Sequence, residues 1–365
     1  MTTTPRTAGA YTFYATTEYY KKLVQDIADA PSGSRILLAT MAFDPRNPTI
    51  AMLTSALDAT AQRGCHITLE IDAYVFLVDE DKRPGPLFYH KRMPQKLSGI
   101  FADIQAVITT LRKSGVTVVI TNPPTRPFTS PFAGRSHIKA SIINDIVYLG
   151  GCNLSAMHSD VMVRRQHKPT ADWLYNLLDQ RSKLSASLEA FGRQDIVHGV
   201  DEKTEIIVDV GVKKQSAIYQ RALQVIDNAQ DWLVITCQYF PNSLTAKHLK
   251  QAQARGVKVY PIFNHYSAHS NLHAYLQHAV TSRERLRMPV SFFTGELKPG
   301  ANYLHAKILA TESEAMIGSH NYVTAGVNFG TAEIALHVQN SDFAKAATHS
   351  ILAETGLLNA IDLPL

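Results

Sequence analysis

Two histidines, each two residues ahead of a lysine, carry the chemistry of this chain: His137-Ile138-Lys139 and His305-Ala306-Lys307. Thirteen residues after each histidine begins a small-residue turn that holds an asparagine, Gly150-Gly151-Cys152-Asn153 and Gly318-Ser319-His320-Asn321. His, Lys and Asn together suit phosphodiester chemistry. An imidazole attacks phosphorus or carries a proton. An ammonium neutralises phosphate oxygens as charge builds, and a carboxamide donates hydrogen bonds to them. One such run is commonplace in any sequence. Two runs with matching turns, one per half of the chain, point to a single site built where two similar halves meet.

The arrangement resembles the phospholipase D superfamily, whose signature is His-x-Lys, four residues, an Asp, then Gly-Ser or Gly-Gly, one residue and Asn. The resemblance covers most of the chain. Outside the motifs it is closest to cardiolipin synthase-like phosphatidyltransferases, through Gln238-Tyr239-Phe240-Pro241-Asn242, Arg255-Gly256-Val257-Lys258-Val259 and the Gly150-Gly151-Cys152-Asn153 turn. It implies a covalent phosphohistidine and catalytic roles for His137, Lys139, Asn153, His305, Lys307 and Asn321, with no metal or organic cofactor. It also implies His137, in the first motif, as the nucleophile. The signature's Asp is altered in both copies. Seven residues after His137 stands Asn144, followed by Asp145, and seven after His305 stands Glu312. Both spans are one residue short, as a tightened turn between two strands would make them.

A catalytic imidazole needs a partner that fixes its tautomer and orientation. The resemblance places such acids at the opening of the strand after each motif, which here are Asp160 and Glu333. The expectation is that each serves the histidine of its own half, Asp160 with His137 and Glu333 with His305. Four more histidines, His265, His269, His273 and His278, include three at the helical spacing of metal ligands. Asn264 to Asn271 reads as a loop, however, so the cluster is expected to form a polar wall beside the cleft, where α/β sites gather.

The elements that must position these groups repeat as well. Buried strands are expected at Ser34–Thr40 and Asp231–Thr236, each after a helix, at Tyr19–Ala28 and Ala217–Asn228. Each strand ends in an aromatic residue and a proline, Phe43-Asp44-Pro45 and Tyr239-Phe240-Pro241. A helix follows in each half and closes on Arg63-Gly64 or Arg255-Gly256, the usual glycine cap. Further strands are expected at His66–Ile71 and Val257–Phe263, and the His-x-Lys runs themselves read as strands. From Arg63 to His137 is 74 residues and from Arg255 to His305 is 50. The first half therefore carries an insertion, within Tyr74–Pro94 and the helical run Ile100–Ser114. Thr121 to Arg135, with Phe128 and Phe132, reads as a loop into the first motif. The halves divide near residue 195, after a polar helix at Ala171–Ala190, giving units 1–195 and 196–365. The second half opens with a strand at Thr204–Val210. The fold class is α/β, two pseudo-twofold-related halves, each a mixed sheet flanked by helices.

Composition narrows the rest. Of 365 residues, 45% are apolar and 18% charged, which gives a real core and excludes a disordered chain. Cys65, Cys152 and Cys237 form no metal spacing and no disulfide framework, in keeping with a reducing, cytoplasmic compartment. The Thr-rich stretch Met1 to Ala10 does not read as a secretory signal, and no run of this sequence reaches membrane length, so a lipid substrate is expected to be reached from the bilayer surface. Tyr74–Arg92 mixes aromatic and basic residues. It could rest on an anionic bilayer, although a loop that packs its aromatics and solvates its charges is the simpler reading. The expected substrate is a phospholipid, cleaved by water or transferred to an alcohol. The alternative is a nucleic-acid phosphodiester. A net charge of +5 is small for a nuclease groove.

Overall fold

The computed structural model describes residues 4–76, 99–123, 134–155, 158–184, 191–241, 243–265, 279, 283, 295–297, 302–361 and 363. In chain order the strands are β1 (Arg6–Ala8), β2 (Tyr11–Ala15), β3 (Arg35–Thr40), β4 (His66–Asp72), β5 (Thr117–Thr121), β6 (Ala140–Ile143), β7 (Ile146–Gly150), β8 (Val161–Gln166), β9 (Ile196–Asp201), β10 (Thr204–Val210), β11 (Trp232–Thr236), β12 (Lys258–Asn264), β13 (Gly295–Leu297), β14 (Lys307–Thr311), β15 (Ala315–Gly318) and β16 (Ala332–Val338). The helices are α1 (Thr16–Ala28), α2 (Pro48–Gln62), α3 (Ile100–Lys113), α4 (Lys168–Leu184), α5 (Ala217–Asn228), α6 (Ser243–Ala254), α7 (Thr324–Phe329) and α8 (Ser341–Glu354).

The strands form two sheets of one design. The first runs β5-β4-β3-β6-β7-β8-β2-β1 and the second β13-β12-β11-β14-β15-β16-β10-β9. In each, the first three strands are parallel and the rest antiparallel. β3 and β11 are continuous apolar runs, as strands covered on both faces must be. Helices α1, α2 and α3 cover the outer face of the first sheet, and α5 and α6 that of the second. The inner faces of both sheets share one core with α4 and α8. Phe343, from α8, packs its ring on Tyr11 and Phe13 of β2, with centroids 5.0 and 4.9 Å apart. The last helix thus ties the second half to the first strands of the chain.

Local signals set the helix ends. Asn47 caps α2 by accepting from Thr49 N–H, with Pro48 opening the helix. Ser216 caps α5 and Asn340 caps α8 in the same way. Each such cap contributes about 1 kcal/mol. The expected helix Ala171–Ala190 begins three residues earlier, at Lys168, and is described as far as Leu184. The His-x-Lys runs differ more from expectation. Lys307 opens β14, but β6 begins only after Lys139. The backbone at His137 leaves its own sheet and pairs with the opposite half instead, His137 N–H donating to Ala332 C=O at 2.7 Å.

Candidate active site

Crossed backbone pairing between the halves builds the site. Ser136, just before His137, bridges in parallel to Ala332, just before Glu333. Ser159, just before Asp160, bridges to Leu304, just before His305. That register sets each histidine beside the acid of the other half. His137 Nδ1 lies 3.0 Å from Glu333 Oε2, and His305 Nδ1 lies 2.7 Å from Asp160 Oδ2. The expected pairing within each half is therefore overturned. The acids and histidines are those read from the sequence, but each acid reaches across the interface. A carboxylate accepts, so each Nδ1 carries the proton and each Nε2 keeps a lone pair.

The lysines follow the same symmetry. Lys139 Nζ donates to its own His137 carbonyl at 2.8 Å, and Lys307 does the same to His305. Both are 1% exposed. Burial, together with each other's charge, pushes Lys139 down to about 7, and burial pushes Lys307 down to about 8. Burial of the two lysines is offset in part by Glu333 and Asp160, and a phosphate between them would add to that balance. Asn153 Oδ1 accepts from Ala42 N–H at 3.3 Å, which orients its amide. Asn321 Oδ1 is buried and has no partner among the described residues.

The two acids are not equivalent. Burial pushes Asp160 up to about 6 against the pull of Lys307. Glu333 is held at about 2 despite its burial, chiefly by His137. The turn residues beside the two acids differ as well. Ser319 donates its hydroxyl to Glu333, whereas the matching residue of the first turn is Gly151. A Cβ on Gly151 would lie 2.3 Å from Asp160 Oδ1, so only glycine leaves room for that carboxylate. The first glycine of each turn is required by backbone instead. A Cβ on Gly150 or Gly318 would meet Val161 O or Ile334 O at 2.3 or 2.2 Å. The imidazoles also differ. Burial lowers His137, with Glu333 pulling the other way, whereas burial with Lys307 and Lys139 drives His305 well below the ordinary range.

The altered signature positions lie away from this chemistry. Asn144 and Asp145 form the two-residue turn between β6 and β7, with Asn144 at φ 52°. The Asn144 amide accepts from Arg35 N–H at 3.0 Å and donates to Ser34 Oγ. Glu312 accepts from Gln230, Asp231 and Trp232 N–H. Each therefore holds the start of the central strand of its sheet, β3 or β11. Among the extra histidines, His265 follows β12, while His269, His273 and His278 lie outside the described residues. Within Tyr74–Arg92, Val75 and Phe76 are buried, and residues 77–92 lie outside as well.

Sequence reasoning missed several contributors. Thr16 Oγ1 accepts from Asp160 N–H at 3.1 Å and donates to the His158 carbonyl, framing the first acid. The His158 ring sits 5.7 Å from that of His305. His320, inside the second turn, accepts at Nδ1 from Tyr322 N–H and is pushed by burial down to about 4, so it stays neutral. Its place in the turn was visible, but its tautomer and burial were not.

Comparison with known proteins bears on the fold. Residues 222–352 match the family described as cardiolipin synthase, PLD-like domain. The second half of the chain is thus similar to a phospholipase D-like domain. The fold of the chain is that of the phosphatidylserine synthase of Haemophilus influenzae Rd KW20, at TM-score 0.67 and 13% identity over 98% of this chain and 86% of that one. A polyphosphate kinase from Porphyromonas gingivalis aligns at TM-score 0.55 and 14% identity, over 94% of this chain and 50% of that one. No curated protein matches the chain in sequence. No helix among the described residues is long and apolar enough to cross a membrane.

Proposed function

We propose that this phospholipase D-like chain cleaves or exchanges the phosphodiester of a phospholipid through a covalent phosphohistidine. The crossed pairs carry the reading: two histidines, each fixed by a buried carboxylate of the opposite half, share one site with two buried lysines. In the first step a neutral imidazole Nε2 attacks phosphorus. The P–O bond to the leaving alcohol breaks, and the second histidine, as imidazolium, protonates that oxygen. In the second step the second histidine, now neutral, takes a proton from water or an alcohol, whose oxygen displaces the histidine from phosphorus. Lys139, Lys307, Asn153 and Asn321 hold the phosphoryl oxygens throughout.

The pairing also supports an assignment of roles. An imidazole beside a firmly anionic acid holds a proton best, which favours His137, on Glu333, as the proton carrier. An imidazole pushed furthest down is neutral and ready to attack, which favours His305. This is the reverse of the assignment that the resemblance implies.

The phospholipid reading draws on the family description of the second half and on the name of the phosphatidylserine synthase neighbour. A nucleic-acid phosphodiester is the competing substrate, and the small net charge of +5 disfavours it. Incubation of the pure protein with mixed phospholipids and with plasmid DNA, in the presence of a chelator, separates the two. Release or exchange of lipid headgroups with intact plasmid is expected. Nicked plasmid with unchanged lipid would reverse the substrate assignment.

A further inference from the structure

The chain immediately before each histidine is gripped from behind by the last residue of a parallel strand. Asp72 ends β4 and is fully buried. Its carboxylate accepts from Ser136 N–H at 2.7 Å, Asn122 Nδ2 at 2.7 Å, Arg135 Nη1 at 3.0 Å and Tyr74 N–H at 2.8 Å. Asn264 ends β12, the corresponding strand of the second sheet. Its amide accepts from Leu304 N–H at 2.8 Å and donates to Leu304 C=O at 2.8 Å and Gln238 C=O at 3.3 Å. Ser136 and Leu304 are the residues just before His137 and His305. They are also the residues that bridge to the opposite half. Each grip therefore holds one side of a peptide whose other side is docked against the distant acid.

We propose that Asp72 and Asn264 are the positioning residues of the two histidines, each setting one His–acid pair through the peptide that precedes the histidine. The two use different chemistry for one task. Asp72 only accepts, so it gathers donors and neutralises the buried Arg135, while Arg181 steadies the Ser136 hydroxyl from α4 at 3.0 Å. Asn264 both donates and accepts, so it holds both faces of one residue. The two are not interchangeable: an aspartate at 264 has no proton for the Leu304 carbonyl, and an asparagine at 72 gives up the negative charge that faces Arg135. Because reacting groups must be held closely, a displacement of about 1 Å can cost about a hundredfold in rate.

The proposal rests on the two-histidine reading, so its test has an arm that needs no turnover. In protein labelled with ¹⁵N-histidine, the Nδ1 protons of His137 and His305, each bonded to a carboxylate, give separate downfield signals. Asp72→Asn should shift or broaden the His137 signal and leave that of His305 in place. Asn264→Ala should do the reverse. With bis(4-nitrophenyl) phosphate as probe, each variant should lose about a hundredfold in kcat with KM changed little. Should either variant fail to fold, Asn264→Ser, which keeps a shorter donor and acceptor, is read on the same two signals and should move that of His305 alone. Both signals moving together in each variant, or neither moving, overturns the proposal. A wild-type protein inert toward every phosphodiester would instead defeat the functional reading and leave the signals to decide this one.

Discussion

At the scale of single residues, nucleophile, proton carrier and phosphate clamp are proposed to act as one unit. His137→Ala or His305→Ala alone should lower turnover by several orders of magnitude, as happens when groups act together. Near-full activity in either variant would sink the shared site. Ser319→Ala removes the hydroxyl that Glu333 accepts. A hydrogen bond to a charged group is worth roughly 1.5–3 kcal/mol, so kcat should fall about tenfold or more and the acid limb of the pH profile should move upward. The lysines supply a pH dependence of definite sign. Lys139 sits at about 7 and Lys307 at about 8, both below an ordinary lysine. As pH rises through that window they lose charge. Binding of a phosphodiester, whose own charge is constant there, should weaken between pH 7 and 8, as titration calorimetry with dimethyl phosphate would show. Binding that strengthens with pH would mean that the ammonium groups do not hold the phosphate.

At the scale of elements, the repeat was legible because buried strands and capped helices announce themselves in sequence. The helix Ala217–Asn228 and the strand Thr204–Val210 stand where the pattern puts them. The pairing of acid with histidine was not legible, since it depends on which backbones dock at Ser136–Ala332 and Ser159–Leu304, and no local propensity encodes that contact. The same limit hid Asp72, which falls just past the strand His66–Ile71 that the sequence suggests. The altered signature acid was legible as an oddity but not as a strand clamp. Glu312→Ala should therefore cost about 1–2 kcal/mol of stability, a drop of a few degrees in Tm, with kcat unchanged. A hundredfold loss of kcat at full stability would return Glu312 to the chemistry.

At the scale of the whole molecule, two sheets of one design share a core, and the reactive groups exist as a site only while that core holds the halves together. Phe343→Ala, at the junction of α8 with β2, should cost about 3–5 kcal/mol. Because the crossed pairs span the same interface, activity should disappear at the temperature where the halves part and not survive it. In the proposed mechanism one of the two histidines becomes covalently bound to phosphorus during turnover. It is tested most directly by acid-free quenching of the chelated protein with a phospholipid, followed by peptide mass spectrometry. The account predicts a phosphatidyl adduct on the peptide containing His305, retained in His137→Ala if that variant completes the first step. An adduct on His137 alone would reverse the roles. Phospholipid turnover with no adduct on either histidine would contradict the mechanism.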